Sequence, residues 1–405
     1  MEYLHHSSLP ATKSELELFS IPPTQTAIDS SYEVHYRPTS TLDSSKSYDF
    51  LVPPSDDFTD LSATYIYLRA KVLKSDGSEA SPIKYFGSAL FDQVDFYIGN
   101  VSITPASNLY HYQSFFENLL FRQPNPIDAA STITDDDGER ITGGKEFDLY
   151  FRLHSSMCQQ NNLLISNTPL TFRFTRSKDN FCFKGNGKLE IKISEIFLVI
   201  RRVKVFPDVA AGIMLAIDKA PAKYFVTRNE VKSFSIGQGL NSSTIENVFS
   251  GTLPKRMVIG FVSNKSFGGD LEADPFEFSH FNISHLSSYV DGNQIPSVAY
   301  SPDFKNDIFM REFVSLYRYM NQDEGIPQLD LTYSKYKKCV LFAFDYTADG
   351  SVGSESGTLS LVKRGNIRIE FKFNGSLAAP IHMVVFAQFD NLIQIDKYRN
   401  VTLDY

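Results

Sequence analysis

The sequence predicts an all-β protein built from two tandem antiparallel sandwiches with short helices in the loops, and three observations predict it. The first is an echo between the halves. In the second half an apolar, β-prone run at 253–262 is followed by another at 283–290, which ends on Asp291, Gly292 and Asn293, the chemistry of a tight strand-ending turn. After Asn306 and Asp307, either of which could cap a helix, Phe309, Phe313, Leu316, Tyr317 and Met320 recur at helical spacing on one face. The first half runs in the same order: a strand pattern at 91–98, Gly99 and Asn100, then a helix over 110–121 with Tyr112, Phe115, Phe116, Leu119 and Leu120 as its apolar set. The second observation is that 170–174 and 367–373 both alternate apolar and polar residues, as half-buried strands do. The echoes are offset by roughly 190 to 200 positions, about half the chain, as two copies of one β-rich domain would be.

The third observation is composition. Aromatics make up 14% of 405 residues, with 34 Phe, 21 Tyr and no Trp, and 22 Gly and 19 Pro are spread along the chain, a profile that suits many strands joined by loops. A formal charge of -8 argues against general coating of nucleic acid. Three widely spaced cysteines, Cys158, Cys182 and Cys339, suggest neither a disulfide framework nor a zinc cluster, and fit a reducing compartment. The N-terminal residues lack a signal-peptide pattern, and the longest apolar run, 209–217, is far short of a membrane span, so a soluble product that does not follow the secretory route is expected.

Taken in order, residues 1–30 read as an arm, with a capping-box pattern at Ser14 to Glu17 stopped by Pro22 and Pro23. Residues 31–205 form the first domain, with strands near 32–36, 48–52, 64–73, 146–153, 170–175 and 189–205. Alternation in the last of these lapses at 196–200, which predicts burial on both faces. The stretch 123–145 reads as a long exposed loop; Asp135, Asp136 and Asp137 in it lack the spacing and distal glutamate of a calcium loop. Pro207 breaks the strand, Asp208 can cap, and 206–223 is a helical connector. The second domain covers 224–395, with further strands at 231–236, 339–345 and a nearly all-apolar, central one at 381–389; a tail, 396–405, follows.

Catalytic and ligand-binding signals are poor. None of His5, His6, His35, His111, His154, His280, His285 and His382 has a partner at metal-ligand spacing, and the offset between His280 and His285 puts them on opposite faces of a strand. No His-x-His occurs, which opposes a metal-dependent jelly-roll enzyme. Gly237 and Gly239 lack the rest of a dinucleotide motif and read as a turn. Lys335, Lys337 and Lys338, interleaved with Tyr333 and Tyr336, read as an exposed edge strand guarded by lysines. No catalytic, cofactor-binding or metal residue is assigned, and no specific nucleic-acid site.

The stretches 14–26 (SELELFSIPPTQT), 61–68 (LSATYIYL), 253–260 (LPKRMVIG), 275–282 (PFEFSHFN) and 289–293 (YVDGN) resemble those of the hexon-like major capsid proteins of Maverick/Polinton elements and adintoviruses, and the resemblance spans nearly the whole chain. It implies two eight-stranded jelly rolls side by side, a double jelly roll. It also implies a homotrimeric, pseudo-hexagonal capsomer that tiles an icosahedral shell around a double-stranded DNA genome. The implied partners are further copies of the chain, penton proteins and minor or cement proteins. The implied place is the virion, after synthesis as a soluble protein in the host cytoplasm or nucleus. A tandem β-sandwich carbohydrate-binding protein is the alternative from another class.

Overall fold

The computed structural model describes residues 7–9, 14–16, 18–19, 21–42, 46–74, 81–121, 141, 144–320, 331–350, 359 and 361–404. The strands of the first half are β1 (Ile28–Tyr36), β2 (Ser47–Val52), β3 (Phe58–Lys74), β4 (Ser81–Pro82), β5 (Phe91–Ile98), β6 (Val101–Ser102), β7 (Glu146–Arg152), β8 (Leu170–Arg176), β9 (Phe183–Lys184) and β10 (Leu189–Val205). Those of the second are β11 (Ala222–Ile236), β12 (Ser242–Thr252), β13 (Arg256–Ser263), β14 (Ile283–Val290), β15 (Asn293–Tyr300), β16 (Leu341–Asp345), β17 (Arg364–Phe373), β18 (Ile381–Ile395) and β19 (Val401–Asp404). Short helices lie between them: α1 (Phe86–Ala89), α2 (Tyr110–Leu120), α3 (Pro207–Lys219), α4 (Asn264–Gly268), α5 (Met310–Tyr319) and α6 (Tyr333–Tyr336).

Every ladder is antiparallel, and strands pair only within their own half. The first half forms the sheets β1-β10-β3-β7 and β2-β8-β5-β6; the second forms β11-β18-β13-β16 and β12-β17-β14-β15. Replacing β1, β2, β3, β5, β6, β7, β8 and β10 by β11 to β18 in order converts the first pair of sheets into the second. The same eight-stranded jelly roll is therefore built twice, and the fold is an all-β double jelly roll. β4 pairs with β9 as a small accessory ribbon, and β19 adds to β18.

The sheets of each roll face one another across an apolar core: Phe261 of β13 meets Phe371 of β17 with ring centroids 5.7 Å apart, and Phe249 of β12 meets Phe389 of β18 at 5.5 Å. Asp291 and Gly292, with φ of 48° and 86°, close the β14–β15 hairpin with the two left-handed residues of a tight turn.

Several local expectations are corrected. Asn306 and Asp307 do not cap α5: the Asp303 carboxylate accepts from the backbone N–H groups of Lys305 and Asn306, Asp307 sits at φ 59°, and the helix starts after Phe309. Likewise α3 starts on Pro207 with Phe206 as its N-cap, so Asp208 falls inside the first turn. The lysine-rich stretch is helical at α6, with the Thr332 hydroxyl accepting from the Lys335 N–H and Tyr336 fully buried. Within 196–200 the unbroken burial is limited to Leu198, Val199 and Ile200, with Phe197 partly exposed. The tail contributes a strand, β19. The 123–145 loop, with its aspartates, lies almost wholly outside the described residues.

Candidate functional site: the seam between the rolls

The histidines are scattered. His35 stacks on Phe197, His280 on Phe304 and His382 on Phe267, while His285 meets the Ser287 hydroxyl at 3.2 Å; His5 and His6 lie outside the described residues. His111 is buried against Phe181 and Tyr112, its Nδ1 has no hydrogen-bond partner among the described residues, and burial pushes its pKa down to about 3. Cys158, Cys182 and Cys339 form no disulfide with one another, and burial pushes Cys339 up to about 12. Among the described residues no group of three or more His, Cys, Asp and Glu side chains is placed to hold a metal ion. No helix there is long and apolar enough to cross a membrane.

The most organised polar cluster lies where α2 of the first roll meets the outer face of β11-β18-β13. Glu117 is buried in the last turns of α2, and its carboxylate gathers donors from both halves of the chain. Oε2 lies 2.7 Å from His154 Nδ1 and accepts from Gln159, and Oε1 accepts from Gln113 at 2.9 Å and from Asn229 of β11 at 2.6 Å. Asn229 Oδ1 accepts from Gln388 of β18 at 2.8 Å, and Gln388 accepts in turn from Arg256 of β13. The Arg256 guanidinium also donates to the Tyr319 carbonyl at 3.0 Å and lies 4.4 Å over the Phe121 ring. Burial lowers its pKa to about 10, a cost that is met by these contacts. Ser62, Arg152 and Gln159 are among the residues that line a cleft of about 280 Å³ beside this chain of bonds. A carboxylate holding four donors is arranged to fasten parts together; both of its oxygens are occupied.

Around this polar thread the seam is aromatic. Phe115 of α2 stacks on Phe276 at 4.7 Å, Phe116 meets both Phe278 and Phe386, and the Tyr112 hydroxyl donates to the Pro275 carbonyl at 3.1 Å. Gly260 leaves room for this packing: a Cβ there would stand 2.8 Å from Phe278 Cε1 and closer still to Cδ1. At the far end Tyr224 of β11 accepts from the Ile165 N–H at 3.0 Å and donates to the Leu163 carbonyl at 3.2 Å, and Arg399 donates to the Ser166 carbonyl at 2.8 Å. None of Glu117, Asn229, Gln388 or Arg256 is singled out by sequence reasoning. The one available signal is Gln113 and Glu117, a polar i,i+4 pair within a helix that is otherwise apolar on most sides.

No family model matches the chain. An uncharacterized protein of Caenorhabditis elegans, F54H12.2, is 19% identical over 369 residues, covering 86% of this chain and 87% of that one. Among solved structures, the chain is similar to one from the cryo-EM structure of the Sputnik virophage, with a TM-score of 0.65 and 13% identity over 98% of this chain and 93% of that one. It is also similar to the mavirus major capsid protein, with a TM-score of 0.57 and 10% identity over 99% of this chain and 96% of the other. At such identities the likeness is one of fold, and it extends through both rolls.

Proposed function

We propose that the chain is a major capsid protein whose homotrimer, a ring of six rolls, tiles an icosahedral shell around double-stranded DNA. The observation that carries this is the whole-length agreement in fold with the mavirus major capsid protein, at 99% of one chain and 96% of the other. Two similar rolls per chain let three chains fill a six-fold environment, so a three-fold particle packs in a hexagonal lattice. The seam supports the same reading, because buried polar bonds and stacked rings hold the rolls as one rigid block, as a tiling unit requires. In this reading 1–30 is an arm, 31–205 and 224–395 are the two structural units joined by 206–223, and 396–405 is a tail. The chain has no catalytic role; its partners are further copies, penton proteins and minor or cement proteins, and its place is the virion. The stretches quoted above support the Maverick/Polinton and adintovirus type.

The test is light scattering after size exclusion, followed by electron microscopy at raised concentration and salt. Trimers of the 45.7 kDa chain and closed shells are the expected result. A folded protein that stays monomeric under all these conditions removes the proposal.

A further inference from the structure

The seam joins one surface of each roll, and each roll also carries a counterpart of the surface it does not use. From the first roll the seam takes α2, which follows the β5–β6 hairpin and precedes β7; from the second it takes the outer face of β11-β18-β13-β16. The second roll carries α5 at the same place in the strand order, after β15 and before β16, and the first roll has the outer face of β1-β10-β3-β7.

Each leftover surface carries a patch of apolar or aromatic side chains among charged ones. α2 is covered almost all round, with only Asn118 and Leu119 short of full burial. On α5 the buried positions are Glu312 and Leu316, while Met310 and Val314 stand 54% and 48% exposed beside Ile308 at 64%. Arg311 donates to the Val298 and Ala299 carbonyls at 2.6 and 2.8 Å, which pins this helix to the edge strand β15 and holds the patch rigid.

On the first roll Ile196, Leu198 and Ile200 fill the core, so the alternate residues of β10 point outward, and one of them is a phenylalanine. His35, Phe197 and Tyr67 stack in a row across β1, β10 and β3, with ring centroids 4.6 and 4.5 Å apart, and Tyr65 stacks on Tyr150 of β7 at 4.9 Å. Val199, an outward residue of β10, is buried among these rings. An outward sheet face in water ordinarily carries polar side chains; aromatic rings held in ranks with Arg69 and Arg152 over them have the composition of an interface core. The contrast between edge strands points the same way. β1 exposes six consecutive residues from Ile28, whereas its counterpart β11 packs on α2 and buries Tyr224, Val226, Asn229 and Val231.

We propose that α5 of one copy docks on the outer face of β1-β10-β3-β7 of a second copy, setting Met310, Val314 and Ile308 against the aromatic rows. This repeats between chains the contact that α2 makes within one, and it rests on the assembly reading above. The occupant is a second copy because the two unused surfaces are the two halves of a contact this fold already makes. The contact is heterologous, so each copy offers one of each surface and addition runs head to tail until the ring closes. If every roll-to-roll step, within and between chains, turns by one sixth of a circle, six rolls and hence three chains complete it.

The test uses Val314→Asp and Phe197→Asp in the full chain, with Met310→Glu and His35→Asp as a second pair should either melt well below the parent. Each variant alone is expected to run as a 45.7 kDa monomer where the parent is oligomeric, an affinity loss of at least about 100-fold. An equimolar mixture of the two is expected to give a particle of two chains and no larger, because one intact α5 meets one intact sheet face and both remaining ends are broken. Variants that oligomerise like the parent, or a mixture that stays monomeric, overturn the surface assignment. A parent that is itself monomeric removes the assembly reading instead, and light scattering separates the two failures.

Discussion

Oε1 of Glu117, on a helix of the first roll, accepts a 2.6 Å hydrogen bond from Nδ2 of Asn229 on the first strand of the second. Few other side-chain bonds join halves of the chain so far apart in sequence while excluded from solvent. The rolls are therefore expected to unfold together, and this pair is where their cooperation is tested most directly.

Glu117→Ala strands the donors of Gln113, His154, Gln159 and Asn229 in the interior. Breaking a buried charged network of this kind costs about 3–5 kcal/mol, and Asn229→Ala, which removes one arm of it, about 1–3 kcal/mol. Urea unfolding of both variants checks the order. A Glu117→Ala midpoint equal to that of the parent would show that the network adds nothing.

Gly260→Ala places a methyl group 2.8 Å from Phe278 Cε1 and 2.9 Å from Leu341 Cδ2. Overpacking of that degree costs about 1–3 kcal/mol. Adding Phe278→Ala makes room, so the double variant is expected to be less destabilised than the sum of the two single changes. Strict additivity in calorimetry would sink the account of close approach.

His111 gives the fold an acid sensitivity with a definite sign. Its folded pKa is pushed from 6.5 down to about 3 by burial, so between those values the unfolded chain binds a proton that the folded chain does not. Its contribution is complete above pH 6.5 and is lost as pH falls, on the order of 1.4 kcal/mol for each pH unit. His111→Phe, which suits the neighbouring Phe181 and Tyr112 rings, should flatten the stability profile between pH 6 and pH 4, within a unit or so of those bounds. Parallel profiles for parent and variant would count against it.

Leu16, Leu18, Phe19 and Ile21 stand exposed, Phe19 at 99%. Gln25 anchors the start of β1 by accepting from the N–H of Ile28 at 2.6 Å, so a deletion of 1–24 leaves the first strand intact. Such a protein is expected to keep the parent's melting temperature and to assemble less readily, because these side chains find no apolar cover among the described residues and a neighbouring copy would supply it. Undiminished shell formation by the truncated protein would reject a docking role for the arm.

How much of this was legible in the sequence depended on the range of the forces involved. β10 could be read from Leu189 to Val205 because Leu189, Ile191 and Ile193 alternate with Glu190, Lys192 and Ser194, a period the chain itself displays. β12 could not, since Ser242 to Thr252 is mostly small and polar, its register with β17 slips between Ile245 and Phe249, and its place is set by pairing with a strand more than a hundred residues away. α6 reads as a strand on the β-prone character of its tyrosines, although Tyr333 and Tyr336 stand at helical i,i+3 spacing behind the capping Thr332; the enclosure of Tyr336, which decides for the helix, is a tertiary fact. The seam was least visible of all. Glu117 and Asn229 are 112 residues apart, and neither has a neighbour in sequence that advertises the other.

The near-complete burial of α2 beside the half-bare α5 also bears on history. Two helices that hold the same position in a repeated gene would begin under the same constraints. Once the first was enclosed by its sister roll, nearly every side chain on it answered to internal packing, while the second kept a face free to respond to whatever met it outside. Substitutions should therefore accumulate unevenly along the two copies: slowly and with compensation inside the chain at Phe115, Phe116 and Glu117, and in step with changes at Phe197 and Tyr67 for Met310 and Val314.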